Sequence, residues 1–197
     1  MSENAKKTRK QKGPPLEKQL AEAITNHDRE YEQWYRYWKY GGQDPCWPDG
    51  SNMHLIRNHI IYHKRQMKEL CEQIGCELPE CYAKELPPEV DSNYMARPDE
   101  IRESARIAVE KMEQYPAYIE LLGMRQMFSQ KQLDKICYFN VVGYVKGAKL
   151  AIERDDLVAQ RRYGRYEGYL ESFDNCLKRS KELEPEEFQL SLFDLSA

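Results

Sequence analysis

No apolar run in this 197-residue chain approaches the ~20 residues a membrane helix needs, and mean hydropathy is −0.87. A membrane-spanning protein is therefore not expected. The basic N-terminal stretch MSENAKKTRKQKGPP has no apolar segment, which argues against a secretory signal. None of the six cysteines (Cys46, Cys71, Cys76, Cys81, Cys137, Cys176) has C-x-x-C spacing. Reduced thiols and a cytoplasmic location are expected rather than a disulfide framework. Asn-Gly hairpin signals and sustained apolar–polar alternation are missing, which excludes a β-rich reading. So are G-x-S-x-G, Walker A, H-E-x-x-H and paired S-x-x-K motifs, and the duplicated E-x-x-H of di-iron bundles. The chain is read as a non-enzyme with no catalytic residue, metal or cofactor. A net charge of −3 and a pI of about 5.9 exclude a uniformly basic nucleic-acid coat.

What is present is helical periodicity. After Pro14-Pro15 the apolar positions Leu20, Ile24, Tyr31, Trp34, Tyr35 and Trp38 predict a helix over about 15–40, closed by Gly41-Gly42. The loop GGQDPCWPDGSN reads as a stiff turn with Trp47 covering the end of that helix, and Asp49, Ser51 or Asn52 as caps for the next. Ile56, Ile60, His63, Met67, Leu70 and Ile74 then recur at steps of four and three, up to about Gly75. Four prolines mark 75–98 as an irregular connector. A third helix begins at Asp99-Glu100, breaks near Pro116 and continues as AYIELLGMRQMF. A fourth follows Ser129, with Gly143 and Gly147 inside it, where helix packing is expected to need them. A last helix covers about 155–183. The fold class is all-α: a bundle of four to six helices in one domain over 14–183. Residues 1–13 form a disordered basic arm and residues 184–197 a flexible acidic tail.

Several constellations carry chemistry. The stripe Tyr31, Trp34, Tyr35 and Trp38 is read as a core face rather than a base-stacking platform. His59 and His63, four apart on one helix, could share a metal with Cys76 or Cys81. Cys71 cannot join them, because it lies about 18 Å along the same helix from His59. His63 continues the apolar stripe, so a hydrogen-bonded core histidine is the preferred reading. DPCW (Asp44 to Trp47) is similar to the catalytic motif of amino-methyltransferases. It lacks the second proline, and no strand and glycine-rich cofactor loop accompany it, so that reading is rejected. Lys6, Lys7, Arg9, Lys10 and Lys12 lie within seven positions with no acid between them, which suits phosphate contact. Arg161, Arg162 and Arg165, interleaved with Tyr163 and Tyr166, form the second candidate nucleic-acid surface.

The segment 182–197, ELEPEEFQLSLFDLSA, carries five acids and no base, and Pro185 stops the preceding helix. Within it Gln189, Leu190, Ser191, Leu192 and Phe193 spell QLSLF. This pentapeptide resembles the bacterial sliding-clamp-binding peptide, Q-L-[SD]-L-F, at all five positions. The resemblance implies that Gln189 hydrogen-bonds at a pocket rim, that Leu192 and Phe193 enter an apolar pocket, and that Leu190 fills a smaller contact beside Ser191. Burial of each large side chain is worth about 1.5–3 kcal/mol. Ordering the peptide offsets much of that, so micromolar binding is expected, about −8 kcal/mol. DPCWPDGSNMHLIRNHI joined to a helical body resembles small proteins of bacterial phages and other mobile elements, which implies a replication-accessory or host-directed role. The second functional reading is an inhibitor of a host defence nuclease, anti-CRISPR-like, acting through the helical body.

Overall fold

The structure, a computed structural model, describes residues 13–183. The arm cations Lys6, Lys7, Arg9, Lys10 and Lys12 and the peptide Gln189, Leu190, Ser191, Leu192 and Phe193 lie outside the described residues. Among the described residues every regular element is a helix, and no helix is long and apolar enough to cross a membrane. The helices sort into two compact units.

The first unit comprises residues 13–42 and Pro48–Ala96. It holds α1 (Leu16–Tyr40), α2 (Asp49–Ile74) and a 3-10 turn at Glu80–Ala83. The expected glycine stops are both used. Gly41 (φ 73°) closes α1 with its N–H on the Tyr37 carbonyl, and Gly75 (φ 78°) closes α2. Left-handed backbone costs an ordinary residue about 1–2 kcal/mol and glycine almost nothing. Trp34, Met53, Ile56 and Ile60 form one buried cluster, and Ala23, Met67 and Cys81 another. The aromatic stripe is only partly core. Trp34 is buried, but Tyr35 and Trp38 are nearly half exposed, and the Trp38 ring stacks on Trp34 and Tyr94.

The connector that follows α2 has no ladder of its own, so its carbonyls need donors from elsewhere. One face of α2 supplies them at helical spacing. Ser51 Oγ donates to Ser92 O, Arg57 Nε to Pro87 O and Lys64 Nζ to Tyr82 O, while His54 Nε2 bonds Val90 O at 2.6 Å. Asp49 is not the N-cap. It is the first residue of α2 after Pro48, fully buried, and its two oxygens accept from the N–H groups of Gly42 (2.8 Å) and Ala96 (2.9 Å).

The second unit comprises Gln43–Trp47 and residues 97–183. It contains α3 (Pro98–Glu113), α4 (Pro116–Gly123), α5 (Gln130–Lys135), α6 (Tyr138–Glu153), α7 (Leu157–Tyr163) and α8 (Glu167–Ser180). Pro116 sits at the start of α4, and Ser129 caps α5 through a reciprocal bond with Gln132, both at the expected places. Eight α-helices lie among the described residues. Cys137, at φ 62°, splits the fourth expected helix into α5 and α6, and the last one is interrupted at Gly164-Arg165 between α7 and α8. The core runs through Ala108, Met112, Leu121, Leu133, Val141, Val145, Ala148 and Phe173.

The two α6 glycines differ. A Cβ on Gly147 would strike the Tyr163 hydroxyl, so close packing does require that glycine. Gly143 has nothing within 4 Å and needs no such allowance. Trp47 is 59% exposed, and within the turn Asp44 Oδ1 accepts from Cys46 N–H.

Candidate functional site

The first unit contains an unusual polar cluster under α1. His27 lies three residues after Ile24 and four before Tyr31, so the helix turns it inward, and it is fully buried. Its Nδ1 is 3.2 Å from Asp28 Oδ1. Lys84 Nζ lies 2.8 Å from the same oxygen. The Lys84 ammonium, aided by the His27 bond, holds the Asp28 carboxyl below the usual carboxylate range, and burial lowers the His27 pKa. The charge states follow. Asp28 is an ionised, acceptor-only group, so Nδ1 of a neutral His27 carries the hydrogen, and Nε2 is left with the bare lone pair. Among the described residues that Nε2 has no hydrogen-bond partner although it is buried.

Cys81 completes the cluster. It sits on the 3-10 turn, and its buried thiol lies 3.7 Å from the Met67 thioether sulfur on α2. Burial, with the Asp28 charge as a smaller contribution, pushes the Cys81 thiol pKa up. An imidazole nitrogen of His27, a carboxylate oxygen of Asp28 and Cys81 Sγ all lie within 4.8 Å of one another. Two cations flank them. Lys84 is paired with Asp28, and Lys64 Nζ donates to the carbonyls of Tyr82 and Lys84. A neutral imidazole beside a neutral, buried thiol is a poor nucleophilic pair but a good set of soft metal donors.

Of the metal ligands considered from sequence, the structure brings only Cys81 into this cluster. His59 is exposed, 3.8 Å from Glu30; His63 is half-buried, with Nδ1 3.2 Å from Gln66 Oε1; Cys76 is exposed just past the Gly75 cap. His27 and Asp28 were missed. The signal was there: His27 occupies the gap in the apolar stripe between Ile24 and Tyr31, where a polar residue must be buried.

In the second unit the basic helix is partly committed. Arg161 donates to the carbonyl of Trp47 and Arg165 to that of Gln43 at 2.6 Å, so both clasp the Gln43–Trp47 segment. Arg162 is exposed on α7. Tyr163 and Tyr166 pack against the core. No protein-family model, curated protein or solved structure matches this chain.

Proposed function

We propose that this chain is a non-enzymatic accessory protein of a phage or mobile element that docks on the bacterial sliding clamp through Gln189–Phe193 and acts near DNA. The observation that carries this reading is the five-position match of QLSLF to the clamp-binding pattern. From average residue usage such a match arises by chance in fewer than about one chain in a thousand of this length. Its place supports the reading: α8 ends at Ser180, nine residues before Gln189 in the sequence. A micromolar tether suits a ring shared among many clients. The arm cations at 6–12 and Arg162 supply sequence-independent phosphate contact, while Arg161 and Arg165 contribute mainly by holding the Gln43–Trp47 segment.

The test is a titration of purified clamp with a peptide of residues 182–197 and with the full chain. Binding near about 1 μM is expected, and Leu192→Ala with Phe193→Ala abolishes it. No binding at about 100 μM refutes the reading. Deleting 186–197 separates it from inhibition of a host defence nuclease through the helical body. A deletion that keeps full biological activity favours the inhibitor.

A further inference from the structure

We propose that Cys81, Met67 and His27 form a buried binding site for a soft monovalent metal ion, Cu(I), between α1, α2 and the Glu80–Ala83 turn. Three observations converge on it. The first is sulfur spacing. Two sulfurs bound to one ion at about 2.3 Å each, with angles between tetrahedral and trigonal, stand about 3.8–4.0 Å apart. Cys81 Sγ and Met67 Sδ are already at 3.7 Å, on two different elements. The second is the orphaned imidazole nitrogen. His27 Nε2 is buried and has no hydrogen-bond partner among the described residues, and an imidazole nitrogen of His27 lies within 4.8 Å of Cys81 Sγ. The Asp28 carboxylate that fixes this tautomer plays the outer-shell role that carboxylates commonly play behind a metal-bound histidine.

The third observation is charge, and it selects the ion. Lys84 pairs with Asp28 and Lys64 bonds the Tyr82 carbonyl, so two ammonium groups stand beside the cluster with Asp28 as its carboxylate among the described residues. When the Cys81 S–H bond breaks and the S–Cu bond forms, one proton leaves to solvent and one positive charge arrives. The local charge is unchanged. A divalent ion replacing the same proton would add a positive charge next to two ammonium groups. Asp28, already shared by Lys84 and His27, is not free to cancel it. The thiol–thioether–imidazole donor set points the same way, since soft sulfur ligands select Cu(I). Ala23 and the partly buried Leu20, Ile24 and Tyr82 surround the two sulfurs, an apolar shell that excludes water and oxidant. Copper remains Cu(I) throughout, so no electron is transferred.

The experiment uses the full chain carrying Cys46→Ser, Cys76→Ser and Cys137→Ser, which removes the exposed thiols that would collect copper on their own. Cu(I) is titrated anaerobically against a chromophoric Cu(I) chelator. One equivalent is expected, with affinity rising about tenfold per pH unit as one proton is released. Met67→Leu, which preserves volume and keeps the fold, is expected to weaken binding by 10- to 100-fold, as is Asp28→Asn, about the loss typical of disturbed metal shells. Cys81→Ser abolishes binding. X-ray absorption is expected to show two sulfurs and one nitrogen on copper. An equivalent that survives Cys81→Ser with unchanged affinity overturns the site. So does the absence of binding by a chain whose circular dichroism remains helical. Zn(II) binding more tightly than Cu(I) to the same residues overturns the choice of ion. Deleting 186–197 leaves the titration unchanged, so this proposal and the clamp-docking reading fail separately.

Discussion

Removing the Asp49 carboxylate is expected to be among the most damaging single changes to the first unit. Its two oxygens accept from the backbone amides of Gly42, seven residues before it, and Ala96, 47 residues after it. In Asp49→Ala both donors lose a charged acceptor inside the protein. A buried amide left without a partner costs about 1–3 kcal/mol; Ala96 is buried and Gly42 part-buried, so the effect is at most about 6 kcal/mol. Water entering the vacated space recovers part of this, so a loss of about 2–4 kcal/mol is expected. Asp49→Asn keeps the shape, but its one carbonyl oxygen serves one amide while its NH2 faces the other donor, so about 2 kcal/mol is expected. Urea unfolding followed by tryptophan fluorescence measures the loss, since Trp34 sits in the core of the same unit. Hydrogen exchange at Gly42 and Ala96 localises it. Asp91→Ala is the control: Asp91 is exposed and its carboxylate accepts from the nearby Asn93 N–H. The reasoning is refuted if Asp49→Ala unfolds at the same urea concentration as Asp91→Ala, or if both amides exchange at wild-type rates.

Three further outcomes are expected. Burial lowers the His27 pKa in the folded state, so the unfolded chain takes up a proton first as pH falls below about 6.5. The first unit therefore loses stability on acidification through that value, and His27→Gln flattens the slope between pH 7 and pH 5; an unchanged slope refutes the assignment. Gly143→Ala is expected to raise the melting temperature, worth about 0.5–1 kcal/mol, because the position is open. Gly147→Ala lowers it by forcing the Tyr163 ring aside, and adding Tyr163→Phe restores part of the loss; equal shifts for the two alanines would contradict the packing. Arg165→Ala releases the Gln43 carbonyl, so amides of the 43–47 segment exchange faster while far-ultraviolet circular dichroism is unchanged.

Helix placement was legible because it depends on local pattern. The 3.6-residue period and the Gly41 and Gly75 stops put α1 and α2 within a residue or two of their observed ends, and Pro116 and Ser129 marked two more starts. Of the two breaks that were missed, the one at Gly164 carries a glycine and the one at Cys137 carries no such mark. Cys137 adopts φ 62° without being glycine, so tertiary packing imposes a turn that local preference opposes. The polar cluster failed for the same reason in a different form. The H-x-x-x-H pattern drew attention to His59 and His63 because spacing of four aligns side chains on a helix, yet alignment says nothing about which way the aligned face looks. Here it looks outward or half outward, toward Glu30 and Gln66. His27 offers no second ligand nearby in sequence except Asp28, and its thiol neighbour arrives from position 81 by way of the 3-10 turn. The basic helix shows the converse. Arg161 and Arg165 do share a face, as spacing requires, but two backbone carbonyls of a proline-containing loop reach that face first. An unladdered loop needs donors as surely as a phosphate does, so a cationic helix face predicts a binding surface only after the chain's own carbonyls have been counted.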